Sequence, residues 1–147
     1  MNTAYRVWDG ERMYYWEDLG LSLVITGGGW SLYRHTNLSL HPIRLADSTQ
    51  KNAALMWGTG LKDKTGKLIF QRDITMNHRS YTNELLQVVW QEGASEYSAD
   101  GVYWTKEIPG FRFKRIKRGM TTVFVSNIDL EVVGDVYQNP ELLEAAE

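Results

Sequence analysis

The chain has 147 residues, of which 43% are hydrophobic and 12% aromatic, and its formal net charge is -2 at pH 7. This composition excludes an intrinsically disordered chain, and the small charge excludes a general attraction to nucleic acid or anionic lipid. The absence of cysteine excludes disulfides, thiolate metal sites and cysteine nucleophiles, and it is typical of a reducing compartment.

The sequence contains no signal for a membrane. Its longest apolar run, around Leu21 to Ile25, is far too short to cross a bilayer. The first residues are polar and lack the apolar core of a signal peptide. We therefore expect a cytoplasmic protein with no membrane partner.

Short runs of β-branched and aromatic residues, separated by glycine turns, predict strands along most of the chain. In the first part, Asp9-Gly10 is typical of a hairpin turn, and the glycines at 27–29 join two further strands. The segment 34–52 is polar, contains Pro42 and predicts a long loop in which a module boundary would lie. The predicted strands of this part are Tyr5–Trp8, Met13–Trp16, Leu21–Thr26 and Trp30–Tyr33.

In the second part, Asp63–Gly66 predicts a tight turn whose glycine accepts a positive φ, and Asp100-Gly101 predicts a hairpin. Asn139 can cap a helix and Pro140 suits its first position, so one short helix is predicted over Glu141–Ala145. The predicted strands of this part are Ala54–Trp57, Lys67–Phe70, Ile74–Met76, Leu85–Gln91, Val102–Trp104, Phe111–Lys117, Thr122–Val125 and Glu131–Tyr137.

These elements predict a mostly β protein, built as a small twisted sheet or partly open barrel with one short C-terminal helix. We expect a single compact unit over residues 1–147. Possible sub-modules are an N-terminal β module at 1–50 and a C-terminal β-barrel module at 51–147.

No pattern in the sequence supports catalysis. The glycines at 27–29 precede strand-like residues rather than the Gly-Lys-Ser/Thr that opens a P-loop helix, which favours a hairpin tip. His35, His41 and His78 lack the spacing of a metal chelate, and no nucleophile elbow is present. We predict no enzyme activity, no metal and no cofactor.

The densest positive charge lies in the predicted strand at 111–118. Phe111 and Phe113 would face one side and Arg112 and Lys114 the other, and a β-bulge near Arg115 would bring the next apolar residue to the core side. Two alternatives are open: a phosphate-binding stripe, or a solvated edge strand protected by its charge, which we favour because both phenylalanines suit a core. The candidate nucleic-acid patch consists of Arg112, Lys114, Arg115, Lys117 and Arg118.

Three consecutive aromatic residues, Tyr14, Tyr15 and Trp16, cannot all face inward on one strand. At least one of them is expected to be exposed or to lie in a subunit interface. They are candidate interface residues and indicate self-association.

Three ordered segments resemble the YopX family of phage and prophage proteins. One departure lies where members usually carry Glu-Gly-Asp and this chain has Gln71-Arg72-Asp73, because the lost glycine puts the turn geometry in question. The matching segments are Tyr5-Arg6-Val7-Trp8-Asp9 with Met13-Tyr14-Tyr15, the stretch LMWGTGLKDKTGKLIF at 55–70, and VVGDVYQNPELL at 132–143.

The resemblance implies a phage-derived, cytoplasmic protein with a mostly β fold, including a small SH3-like barrel in the second part, and it brings no catalytic residue. We expect a non-enzymatic accessory protein of the bacterial host's phage that forms a homo-oligomer and binds an unidentified protein partner. Nucleic-acid binding through the strand 111–118 is the alternative.

Overall fold

The computed structural model describes residues 4–79, 81, 83–91, 95–97, 104–106, 110–116 and 121–145, with the backbone alone described at 95–97, 104–106 and 145. The chain divides into two compact units, Met1–Gly60 and Leu61–Glu147. The possible sub-modules at 1–50 and 51–147 stay predictions. That the whole chain acts as a single unit stays a prediction.

The first unit is built from two antiparallel arrangements. In one, β1 lies between β2 and β6, and in the other β4 lies between β3 and β5. The strands are β1 (Tyr5–Trp8), β2 (Met13–Tyr15), β3 (Leu21–Thr26), β4 (Gly29–Arg34), β5 (Ile43–Asp47) and β6 (Ala54–Lys62).

The core of the first unit forms around Val7, Leu32 and Ala46, which are fully buried. The predicted loop over 34–52 is wrong in its middle, where β5 pairs with β4. Pro42 and two charged residues make this strand hard to predict from the sequence. An edge strand is stabilised by hydrogen bonds to its neighbour, so its sequence need not show an apolar pattern.

The second unit contains a five-stranded antiparallel sheet in the order β13-β12-β9-β8-β14 and a separate β10-β11 pair. The predicted turn at Asp100-Gly101 lies outside the described residues. The strands and helix are β7 (Leu68–Phe70), β8 (Asp73–Asn77), β9 (Leu85–Gln91), β10 (Ser95–Tyr97), β11 (Trp104–Lys106), β12 (Gly110–Arg115), β13 (Thr122–Val123), β14 (Leu130–Asp135) and α1 (Glu141–Ala145).

The C-terminal helix α1 has five residues, too few for an isolated helix to be stable in water. Its Leu142 and Leu143 pack against buried Ile74 and Ile116, and this packing holds it in place. The Oδ1 of Asn139 accepts a hydrogen bond from the Asp135 N–H, and its backbone carbonyl accepts one from the Leu142 N–H. That Asn139 caps the helix with its side chain stays a prediction.

The mostly β class with one short helix is confirmed, and the sheet that contains β1 and β6 curls into a half-barrel. The SH3-like barrel stays a prediction. Within the described part of the chain, no helix is long and apolar enough to cross a membrane.

Candidate functional site

The basic strand β12 is paired along its whole length with β9, from Gly110 opposite Gln91 to Arg115 opposite Leu86. On its other side, β13 covers Phe113 and Lys114. The register with β9 shows no shift, so the predicted bulge near Arg115 is wrong.

The cross-strand partners show which side chains share a face, since residues directly opposite in a sheet point to the same side. Lys114 lies opposite Gln87, and Gln87 lies opposite buried Ile74. Arg112 and Ile116 have the same parity as Lys114. Ile116 packs in the core with Ile74, so Arg112, Lys114 and Ile116 share one face of the strand without any bulge.

Arg115 points to the opposite face, together with Phe111 and Phe113. Its Nε lies 2.9 Å from the Oε1 of Glu84 and forms an ion pair. Phe111 makes an edge contact with Trp90, with 5.0 Å between the ring centroids. The structure therefore groups Arg112 with Lys114 but separates both from Arg115 and from the aromatic rings.

The remaining members of the candidate patch, Lys117 and Arg118, lie outside the described residues. The Nη1 of Arg112 donates a hydrogen bond to the carbonyl of Phe111, at 3.2 Å, and so stays close to its own backbone. Both Arg112 and Lys114 are half-buried. The described basic residues thus form a pair on one face and an ion-paired arginine on the other.

The candidate interface aromatics are all half-buried. Tyr14 packs against the core of the first unit, and the guanidinium of Arg34 lies 5.5 Å from the centre of its ring. Burial raises the pKa of Tyr14, and the nearby carboxylate of Asp9 raises this pKa further. The backbone N–H of Trp16 donates to the carbonyl of Tyr5, at 3.0 Å. A role of these residues in an interface stays a prediction.

The turn that follows β6 is held by one buried carboxylate, Asp63. Its Oδ1 accepts hydrogen bonds from the N–H and hydroxyl of Thr65 and from the N–H of Lys67, and its Oδ2 accepts from the N–H of Val132 on β14. Burial acts to raise the pKa of Asp63, but these hydrogen bonds outweigh it and hold that pKa below its usual value. The residue joins two elements of the second unit.

A second buried carboxylate, Asp135, holds the turn after β14. It accepts hydrogen bonds from the N–H groups of Tyr137 and Gln138, each at 2.9 Å, and from the side chain of Gln138. Gly134 lies so close to Asn139 that an added Cβ would stand 2.5 Å from its Oδ1. The residues of this segment therefore stabilise the turn.

Arg72 occupies the place of the glycine that the resemblance led us to expect. Its φ is 73°, in the left-handed region that glycine adopts readily. Its N–H donates to the carbonyl of Val88 at 2.8 Å, and its own carbonyl accepts from Val136 at 3.1 Å. The backbone thus has a conformation typical of glycine although the glycine is absent.

The histidines do not assemble a site in the described residues. The Nε2 of His78 lies 3.0 Å from the Oε1 of Glu131. Across the part of the chain that the structure describes, no group of three or more His, Asp or Glu residues could hold a metal ion.

One exposed apolar surface was not predicted from the sequence. Strand β3 lies at the edge of its sheet, and two of its side chains are exposed: Val24 at 45% and Ile25 at 59%. The signal was available, since the stretch from Leu19 to Tyr33 contains neither a charged residue nor proline. Such a stretch lacks the features by which proteins usually protect an edge strand.

These features define a mostly β protein in which residues of the family-like segments hold turns. The family model described as YopX protein matches residues 4–144, and this chain belongs to the YopX family. The SPbeta prophage-derived uncharacterized protein YopX of Bacillus subtilis (strain 168) is 39% identical to this chain in an alignment 147 positions long, which covers 98% of this chain and 98% of that protein.

Two solved structures are similar along nearly the whole chain. The crystal structure of protein yopX from Bacillus subtilis has a TM-score of 0.65 and 40% identity, and the match covers 97% of this chain and 98% of that one. Protein EF1440 from Enterococcus faecalis has a TM-score of 0.51 and 16% identity, over 95% and 96% of the two chains. The second likeness concerns the fold alone.

Proposed function

We propose that this protein is a non-enzymatic accessory protein of a phage or prophage, which acts in the cytoplasm of the bacterial host through protein–protein interaction and self-association. The prophage origin of the Bacillus subtilis relative supports the phage setting. The family-like segments also support a binding role. Their buried carboxylates accept hydrogen bonds from backbone N–H groups and hold turns.

The observation that carries this proposal is the exposed apolar surface of the first unit. Leu38 and Leu40 are exposed at 99% and 98%, and the exposed side chains of β3 belong to the same unit. Large apolar side chains that stay in water favour association, because their burial removes apolar area from solvent. A further protein or a second copy would cover them.

The test is the molar mass in solution, measured by sedimentation velocity over about a hundred-fold range of protein concentration. We expect a species larger than the 16.9 kDa chain, with a population that grows with concentration. A single species of monomer mass at every concentration would exclude self-association.

Nucleic-acid binding remains the alternative, and the observation in its favour is the shared face of Arg112 and Lys114. Its support is weaker because Arg115 lies on the other face and is paired with Glu84. We therefore expect no salt-sensitive binding of labelled single- or double-stranded DNA or RNA in fluorescence anisotropy.

The control for that measurement is the double variant Arg112→Gln with Lys114→Gln, compared with Arg44→Gln in the first unit. Binding that weakens steeply with salt and is lost in the double variant, but kept in Arg44→Gln, would place nucleic-acid recognition first.

A further inference from the structure

The three-stranded sheet of the first unit has two edges, and they differ in their protection. The edge strand β5 follows Pro42, carries Arg44 and Asp47, and is bulged where its pairing with β4 shifts between Leu32 and Tyr33. Proline, charge and bulges are the means by which proteins keep an edge strand from pairing with another chain.

The opposite edge strand, β3, contains no proline, no charged residue and no bulge. Its six residues pair with β4 in one continuous register, from Leu21 opposite Arg34 to Thr26 opposite Gly29. The strand is uncharged, and the exposed side chains of Val24 and Ile25 lie on opposite faces next to the edge. It is an apolar and unprotected edge.

The hydrogen-bond phase of the β3–β4 pair follows from a bond just before it. The His35 N–H donates to the Gly20 carbonyl at 2.8 Å, so this pair is a hydrogen-bonded one. In an antiparallel pair such positions alternate, and every second residue of β3 points its backbone groups at β4. The bond from the Ser48 N–H to the Trp30 carbonyl, on the far side of β4, agrees with this phase.

The other residues of β3 therefore direct their backbone groups away from β4. These residues are Leu21, Leu23 and Ile25. Among the described residues, the N–H of Leu21 has one long contact, at 3.5 Å from the Asp18 carbonyl. The N–H and C=O groups of Leu23 and Ile25 have no protein partner within the described ranges.

This edge is complementary to itself. If two copies meet about a two-fold axis at Leu23, each Leu23 lies opposite the other, and Leu21 lies opposite Ile25 of the second copy. All of these positions have outward backbone groups, so the N–H of each can donate to the C=O of its counterpart. No like charges meet, because the strand has none.

We propose that β3 is the contact edge of a symmetric dimer, in which a second copy of this chain adds its own β3 in antiparallel register. The sheets of the two copies then continue into one sheet of six strands, and the exposed side chains of Val24 and Ile25 gain neighbours. This inference rests on the proposed self-association and names its surface. A two-fold arrangement of this kind uses the same patch on both subunits and closes without further growth.

The register predicts a specific cross-link. Ser22 lies opposite Val24 of the second copy as a non-hydrogen-bonded pair, with about 4.5 Å between Cα atoms, which suits a disulfide. Because the natural chain has no cysteine, Ser22→Cys and Val24→Cys each introduce a single thiol. Under mild oxidation, an equimolar mixture of the two variants should form covalent dimer several-fold faster than either variant alone.

The matched control is Phe124→Cys, which places an exposed thiol on a residue of the second unit. Mixed with either β3 variant, it should cross-link no faster than by random collision. Equal rates for all mixtures would overturn the proposed register and edge.

A second variant, Ile25→Lys, tests the edge without oxidation, since a lysine on an edge strand opposes pairing. Its side chain is exposed, so the β3–β4 pairing should survive, which circular dichroism will check. We expect sedimentation to show at least a ten-fold weaker association for Ile25→Lys and no change for the control Phe124→Lys, whose side chain is exposed in the second unit.

The outcomes separate this inference from the proposed function. Association that persists in Ile25→Lys, without the 22–24 cross-link, leaves self-association standing and overturns the β3 edge. A monomeric natural chain overturns both. Loss of association in Ile25→Lys together with the specific cross-link supports both.

Discussion

Buried carboxylates are the residues on which the turns of the second unit depend most directly. Asp63 and Asp135 each accept several hydrogen bonds from backbone N–H groups, and both are almost inaccessible to solvent. A buried charge is costly unless it is hydrogen-bonded in this way. Their chemistry is therefore structural, since their oxygens are already engaged.

Replacing Asp63 by asparagine should destabilise the protein at pH 7 by about 1–3 kcal/mol, because one acceptor oxygen becomes a donor that faces N–H groups. The pKa of Asp63 in the folded protein is lower than its unfolded value of 3.8. Its contribution to the free energy of unfolding is therefore present above about pH 4 and is lost as the pH falls through the lowered pKa.

Urea unfolding at pH 7 and at several pH values below 4 measures this effect. The difference in stability between the natural chain and Asp63→Asn should shrink as the pH falls. An exposed carboxylate provides the control, and Glu11→Gln should lie within about 0.5 kcal/mol of the natural chain at pH 7. A difference that stays constant with pH would contradict the role of the charge.

Replacing Arg72, whose backbone lies in the left-handed region, by glycine should stabilise the protein. Glycine adopts this conformation without the strain that a Cβ brings, so Arg72→Gly should raise the free energy of unfolding by about 0.5–1 kcal/mol. The variant Arg72→Ala removes the same charge but keeps the Cβ, and its stability should be nearly unchanged. An equal gain in both variants would assign the effect to the charge instead.

At the scale of elements, the turn after β14 shows how one small residue permits a close approach. In Gly134→Ala, the new Cβ would meet the Oδ1, Cγ and Cβ of Asn139 at 2.5, 2.6 and 2.9 Å. The asparagine must move and release the Asp135 N–H, so we expect a loss of about 1–3 kcal/mol.

Thermal or urea unfolding measures this loss, and the hairpin tip between β3 and β4 supplies its control. An added Cβ at Gly27 has no atom within 4 Å, and Gly27→Ala should be nearly neutral. Similar losses for the two variants would show that the contact with Asn139 is not the cause.

Most strands could be predicted because alternation and turn residues are local properties of the sequence. The elements that could not be predicted depend on distant partners. Strand β5 exists because β4 pairs with it, and Ile116 reaches the core because Ile74 lies on the same face of the sheet. The alternation of apolar and basic residues in β12 suggested a bulge because one face of the strand was assumed to be solvated. Helix α1 covers part of that face.

The candidate site shows the same limit. The cluster of positive charge at 111–118 is visible in the sequence, but the pairing of Arg115 with Glu84 joins residues 31 positions apart and is not. In contrast, the unprotected edge strand β3 is a local feature that could have been predicted from its lack of charged residues. Its importance becomes clear only beside the protected β5.

At the scale of the whole molecule, association through β3 links the stability of the fold to protein concentration. A dimer that forms only from folded chains is stabilised by mass action, so the Tm of the natural chain should rise with concentration. The contact consists of backbone hydrogen bonds and apolar side chains, and salt does not screen these as it screens exposed charges. The rise should therefore persist in about 1 M sodium chloride, a concentration at which the Debye length is only about 3 Å.

Differential scanning calorimetry over about a hundred-fold range of concentration measures this dependence. In Ile25→Lys the Tm should become independent of concentration, because the added charge prevents the strands from pairing, while Phe124→Lys should behave as the natural chain. A rise that disappears in high salt would point to an interface between charged surfaces, and a rise that persists in Ile25→Lys would place the interface elsewhere on the molecule.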